Sequence, residues 1–342
     1  MKLSSLRVQN FRNHDDLVCE FSAKTTLLYG KNGSGKTALL EALYVAFRGV
    51  SFRGTDEDML RTRSAWYRID TTDDSNTKRT VLLDNRTGKR SKQFIIDGKK
   101  TIRLPMKQKQ PIVLFTPDDL RLIGGSPARR RKYLDTVIAQ YDPVYPQTLR
   151  RYERALLQRN KLLKHPAVMR DALFAWDVIL SQTGAYIIDA RRQLIDCINE
   201  QITDYYTRIA GAGNSLSVIY SNPSATAPAL LAQYQASYDR DIAVGSTLVG
   251  PHRHDFLLSL NNKPADDHAS RGEVRTIVLA LKYIESSLLT QYFDMYPLVL
   301  LDDVFGELDV SRQKNLLSFF REHQVIITST ARHKADQIIR IH

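Results

Sequence analysis

Eight consecutive residues of this chain, Gly30-Lys31-Asn32-Gly33-Ser34-Gly35-Lys36-Thr37, carry the spacing G-x-x-x-x-G-K-T. Glycine at those positions lets successive backbone N–H groups turn inward with no Cβ in the way, and such a nest binds phosphate oxygens. The lysine charge reaches the terminal phosphates, and the threonine hydroxyl offers an oxygen to Mg²⁺. Gly30, Lys31, Asn32, Gly33, Ser34, Gly35, Lys36 and Thr37 are therefore the expected cradle for ATP, with Mg²⁺ at Thr37. That chemistry requires a strand running into the loop and a helix leaving it. Thr25 to Tyr29 is a compact apolar run ending at Gly30, which predicts the strand. Leu39, Leu40, Leu43, Tyr44 and Phe47 recur at helical spacing, which predicts a helix over 36–48.

Two further constellations complete a hydrolytic site. Leu298-Val299-Leu300-Leu301-Asp302-Asp303 is an apolar strand that ends in two carboxylates, at the end where ligands gather in open α/β sheets. Asp302 is the expected second Mg²⁺ partner, and Asp303 the residue that deprotonates or orients the attacking water. Ser270-Arg271-Gly272-Glu273 opens a helix, with Ser270 as N-cap and Glu273 three residues later as in a capping box. In dimeric ATPases of the ABC class, such a helix start directs its N–H groups and serine hydroxyl at the γ-phosphate held by the opposite subunit. Phe305-Gly306-Glu307-Leu308-Asp309 follows the carboxylates, where the loop crossing that dimer interface belongs. Lys36, Ser270 and Asp303 are the expected catalytic residues.

Around these motifs the sequence predicts strands at Leu3 to Gln9, Cys19 to Ser22, Thr80 to Leu83, Gln93 to Ile96 and Ile112 to Phe115. Long helical periodicity then runs from Ser126 to about Ile209, with Pro127 in a first turn and Pro166 separating two long helices. Later come a strand at Phe256 to Leu260, a helix over 271–289, a strand at Leu298 to Leu301, a helix over 311–321 and a strand at Val325 to Thr328. The expected fold is α/β: an ABC-type P-loop ATPase head split by a mainly helical inserted lobe. The expected domains are residues 1–125, 126–212 and 213–342, the lobe being the middle one.

Composition narrows the class. Of 342 residues, 43% are hydrophobic and 25% charged, the balance of a folded globular chain. The two cysteines, Cys19 and Cys197, are isolated, which argues against a disulfide framework or zinc site and for a cytoplasmic location. No apolar run approaches the roughly 18 residues of a membrane helix. A net charge of +12 suits an anionic partner. Cations cluster at Lys99, Lys100, Arg103, Lys107 and Lys109, at Arg129 to Lys132, and at Arg150, Arg151 and Arg154. No zinc finger, RRM signature or basic zipper is present, so the expected partner is a duplex held through its phosphates with weak sequence preference.

Taken together these residues resemble the RecF family of bacterial recombination mediators, relatives of SMC-type ATPase heads, over nearly the whole chain. The likeness includes Asn10-Phe11-Arg12-Asn13, Phe115-Thr116-Pro117-Asp118-Asp119-Leu120, Gly125-Ser126-Pro127 with Arg129-Arg130-Arg131 and Leu134-Asp135, and Gly250-Pro251-His252-Arg253. The resemblance implies a head that dimerises around ATP, binds double-stranded or gapped DNA in that state, and hydrolyses ATP slowly with stimulation by DNA. It also implies RecR and RecO as partners in loading RecA. It places Arg12 and Asn13 beside the nucleotide, and Asp118 and Asp119 in the switch loop usually named for a glutamine. The chain departs from the family at the signature, which usually reads S-Q-G-Q-Q-R and here reads Ser270-Arg271-Gly272-Glu273-Val274-Arg275. A γ-phosphate sensor is expected among Ser329, Thr330 and His333. The competing reading is an SMC-like ATPase with a signalling or structural role that does not involve DNA gaps.

Overall fold

The computed structural model describes residues 2–22, 24–165, 170–211, 213–221, 226–307 and 310–342. The chain divides into two compact units, one formed by Met1–Asp119 with Glu285–His342 and the other by Leu120–Ile284.

The first unit opens with a hairpin of β1 (Leu3–Phe11) and β2 (His14–Glu20), turning at Arg12 and Asn13. β3 (Thr25–Tyr29) leads into the glycine-rich loop and α1 (Lys36–Arg48). β4 (Trp66–Asp73), β5 (Lys78–Asp84), β6 (Ser91–Ile96) and β7 (Lys99–Thr101) extend the hairpin into an antiparallel sheet of order β2-β1-β4-β5-β6-β7. β8 (Ile112–Phe115) joins a different sheet, described below. Strand β2 begins at His14, earlier than the predicted Cys19. Its outward face is tied to β1 by Arg7 and Gln9, which donate to the Asp16 carboxylate. The acidic residues Asp15 and Asp16 therefore belong to the strand.

In the second unit, α2 (Pro127–Tyr141), α3 (Tyr145–Leu163) and α4 (Arg170–Ala210) form the predicted helical run. Pro166 lies outside the described residues. Next come β9 (Leu216–Tyr220), α5 (Ala227–Ala236), α6 (Tyr238–Val244), β10 (Phe256–Leu260), β11 (Lys263–Pro264), α7 (Ala265–His268) and the first part of α8 (Arg271–Phe293). The three strands make a small antiparallel sheet of order β11-β10-β9. Side chains of α4 bind β9 directly: Asn199 exchanges two hydrogen bonds with the Val218 backbone, and Thr203 does the same with Leu216. The sheet thus folds with the helices, and the unit runs on to Ile284, whereas the sequence places a boundary after residue 212.

Buried ion pairs hold this unit. Arg159, with no exposed surface, donates to Asp177 at 2.6 Å, to Asp241 at 2.6 Å and to Thr247 at 2.9 Å. Arg130 grips Asp255 with two bonds of 2.7 Å and also donates to the carbonyls of Ile123 and Gly125. Arg131 donates to the His254 carbonyl. In the expected basic cluster of Arg129 to Lys132, two of the four cations are therefore spent on the fold. Arg150, Arg151 and Arg154 are exposed, as are Lys99, Lys100, Arg103 and Lys107.

The chain re-enters the first unit with β12 (Leu298–Asp302), α9 (Val310–Phe319), β13 (Val325–Ser329) and β14 (Gln337–Arg340). These strands, β3 and β8 build a parallel sheet of order β14-β3-β13-β12-β8. Every residue of β12 and β13 is buried, as expected of parallel strands covered on both faces. Helix α1 packs against strands of both sheets. Its Leu39, Leu40, Leu43, Val45 and Phe47 are wholly buried with Val8, Phe11, Tyr67 and Ile69 on one side and Leu28, Leu300 and Ile326 on the other. Each such side chain contributes about 1.5–3 kcal/mol of burial free energy.

Candidate functional site

The loop between β3 and α1 has the backbone that its glycines were expected to permit. Gly33 and Gly35 sit at φ +82° and +89°, where a side chain is strained. A Cβ on Gly35 would also lie 2.3 Å from His14 and 2.4 Å from Asn13. Those two residues brace the loop from the β1–β2 turn: Asn13 Nδ2 donates to the Gly33 carbonyl at 3.0 Å, and His14 Nε2 to the Gly35 carbonyl at 3.2 Å. Burial lowers the His14 pKa, and because its carbonyl partner can only accept, Nε2 carries a proton.

Lys36 is buried and folds back on the loop, donating to the carbonyls of Gly30 and Lys31 at 2.8 Å each. Its ammonium is thus held by carbonyls of the loop itself. The Ser34 hydroxyl is buried beside Gly30 with no hydrogen-bond partner among the described residues. Thr37 Oγ1 donates to Asp302 Oδ1 at 2.7 Å, joining residues 265 apart in sequence. The two residues expected to hold Mg²⁺ are therefore in contact. Asp303, at φ +51°, lines the same cavity.

That cavity measures about 990 Å³ and is bordered by Arg12, Asn13, Asn32, Lys36, Thr37, Arg53, Arg61, Arg63 and Asp303, among others. The surplus of arginine and lysine favours an anion. Sequence reasoning missed the residue that organises two of these cations. Glu41 of α1 has no exposed surface, yet it accepts two bonds from Arg12 (2.8 and 2.7 Å), one from Arg53 (2.9 Å) and one from Ser51 (2.6 Å). Burial pushes its pKa up, but these hydrogen bonds prevail and hold it below the usual carboxylate value. The available signal was a lone charge inside the apolar stretch from Leu39 to Phe47.

In the other unit, Ser270 and Glu273 form the predicted capping box. Glu273 accepts from the Ser270 hydroxyl at 2.7 Å and its N–H at 2.8 Å, while the Glu273 N–H donates to Ser270 Oγ at 3.3 Å. Both bonds from Ser270 lower the Glu273 pKa. Ser270 and Arg271 are exposed, so this helix start presents a cation outward. Asp119 accepts from the Thr116 backbone and hydroxyl, capping a short turn at 117–122. His333 pairs with Ser329 Oγ at 3.1 Å and lies edge-on to Phe305, while Thr330 is exposed. Leu308 and Asp309 lie outside the described residues. Among the described residues no group of His, Cys, Asp and Glu is arranged for a metal by itself, and no helix is long and apolar enough to cross a membrane.

Comparison with known proteins bears on this geometry. A family described as an AAA domain matches residues 5–127. The DNA replication and repair protein RecF of Agathobacter rectalis is 34% identical, covering 96% of this chain and 92% of that protein. A solved structure of the recombination mediator protein RecF-ATP in the RecFOR pathway is 28% identical, with TM-score 0.87 over 100% of this chain and 95% of that one. The Smc head bound to the C-winged helix domain of ScpA is 15% identical with TM-score 0.56, over 99% of this chain and 94% of that one, a likeness of fold. The fold is accordingly an ABC-type ATPase head carrying an inserted lobe, and the chain belongs to the RecF family of DNA replication and repair proteins.

Proposed function

We propose that this protein is an ATP-driven DNA-binding mediator of recombinational repair, in which two copies close around ATP and Mg²⁺ and the closed pair binds double-stranded or gapped DNA. The observation that carries the nucleotide part is the convergence of Lys36, Thr37 and Asp303 on one cationic cavity, with Asp302 hydrogen-bonded to Thr37 at its edge. The loop from Gly30 to Thr37 suits a triphosphate: Gly33 and Gly35 take left-handed backbone, and Asn32, Gly33, Gly35, Lys36 and Thr37 line the cationic cavity. Arg12 and Asn13 border the same space. Thr37 and Asp302 would hold Mg²⁺, which when bound neutralises phosphate charge. Asp303 takes or orients the proton of the attacking water, and Ser270 of a second copy meets the γ-phosphate through its hydroxyl and the helix N-terminus behind it. Because each site then needs a second molecule, turnover is slow, and DNA that favours pairing stimulates it.

The relative solved with ATP supports this reading through its likeness in fold and sequence. Its place in the RecFOR pathway points to RecR and RecO as partners and to RecA loading as the outcome. The exposed clusters at Lys99, Lys100 and Arg103 and at Arg150, Arg151 and Arg154 supply phosphate contacts. With six or more such contacts, duplex affinity falls about 10³-fold between 50 and 200 mM salt. Fluorescence anisotropy of a labelled gapped duplex with ATP measures this, and a loss of less than about tenfold would refute phosphate-dominated binding. Equal binding with and without ATP would separate the DNA from the nucleotide and favour an ATPase whose role lies elsewhere.

A further inference from the structure

Beneath the paired carboxylates lies a hydroxyl that the motifs do not include. Thr328 of β13 is fully buried and stands opposite Asp302 in the parallel ladder. Its Oγ1 donates to Asp302 Oδ1 at 2.8 Å and accepts the Asp303 backbone N–H at 2.9 Å. One side chain therefore fixes both acids. The bond to Asp302 joins the one from Thr37 on the same oxygen, so both hydroxyls fall on Oδ1 and neither occupies Oδ2. The bond from Asp303 N–H holds that residue at φ +51°, which an L residue adopts only when its surroundings impose it, and Asp303 borders the cavity in that conformation.

We infer that Thr328 is a positioning residue: its hydroxyl presents the open oxygen of Asp302 to the metal and pins the backbone turn that aims Asp303 at the attacking water. The inference rests on the nucleotide-hydrolysing reading above and extends it to a residue that touches neither nucleotide nor metal. Hydrogen-bond partners of metal-binding groups typically control metal affinity or activity by about 10–100-fold. A purely structural role for Thr328 would be met by any β-branched residue of the same volume, since its methyl group and shape suffice to fill the site.

The test compares Thr328→Val, which keeps volume and removes the hydroxyl, with Thr328→Ser, which keeps the hydroxyl. Thr328→Ala removes the same hydroxyl with less bulk and serves if the valine variant does not fold. Binding of a fluorescent ATP analogue is titrated first in EDTA and then against Mg²⁺, and steady-state hydrolysis is measured alongside. The expected result is unchanged affinity in EDTA, a rise of about tenfold in the Mg²⁺ needed for half-maximal binding, and a comparable fall in turnover for valine, both restored by serine. Valine or alanine variants with wild-type Mg²⁺ dependence and turnover would overturn the inference while leaving the nucleotide reading intact. A wild-type protein that binds no analogue at all would overturn both.

Discussion

Asp303→Asn is expected to bind ATP and to pair with a second copy while hydrolysis falls by about 10²–10³-fold, within the range a positioned general base contributes. The size of the effect follows from how little else changes. Asn matches Asp in volume and tolerates the left-handed backbone at φ +51°, so the turn after β12 survives. The Asp303 N–H to Thr328 bond is a backbone bond and survives too. Asp302 and Thr37 remain in contact. Only the carboxylate proposed to take or orient the water's proton is lost. On the proposed reading hydrolysis ends the paired state, so the variant is also expected to remain dimeric with ATP for longer than the wild type. Phosphate release under single-turnover conditions provides the check, and a rate within threefold of the wild type, on the order of the scatter between preparations, would remove Asp303 from the chemistry.

Asp241→Ala is expected to destabilise the second unit by about 3–5 kcal/mol, the usual cost of breaking a buried pair by removing one partner. Arg159 has no exposed surface and draws on Asp177, Asp241 and Thr247 together. Burial raises the Asp177 pKa in spite of the arginine beside it. Asp241 also accepts from the Leu248 backbone and the Ser237 hydroxyl, and alanine would leave the Leu248 N–H unsatisfied while Ser237 keeps its bond to the Tyr234 carbonyl. For a unit of this size the melting temperature should drop by roughly 10 °C. Differential scanning calorimetry reads the change directly, and a shift below about 2 °C would mean that the network is not what holds α3, α4 and α6 together.

The legible parts of the fold share a physical cause. The strands at 25–29, 112–115 and 256–260 coincide with the predicted runs because each is an apolar stretch bounded sharply by turn-forming or charged residues. The phosphate loop was legible because its chemistry constrains residue type at nearly every position. Strand β9 was not, although its burial alternates, because the outward Ile219 is as apolar as the inward Val218 and Tyr220 and hides the period of two. Its partner Leu257 on β10 is likewise exposed, at 47%. The inward use of Arg130 and Arg131 was hidden for the converse reason, since a cation looks the same in sequence whether it faces water or a buried carboxylate. Glu41 and Thr328 escaped because their roles come entirely from long-range partners. The expected phosphate-sensing residues Ser329, Thr330 and His333 lie one to five positions beyond the threonine that holds both acids.

The central claim is that two copies complete each other's nucleotide site through the Ser270 helix start. Sedimentation velocity with saturating ATP and Mg²⁺ tests it most directly, run on the wild type, on Lys36→Ala and on Ser270→Arg, with nucleotide occupancy measured in each sample. The account predicts an ATP-dependent dimer for the wild type, an empty monomer for Lys36→Ala, and a monomer that still carries ATP for Ser270→Arg. A wild-type protein that stays monomeric with its site filled, or a Ser270→Arg variant that pairs as well as the wild type, would contradict it.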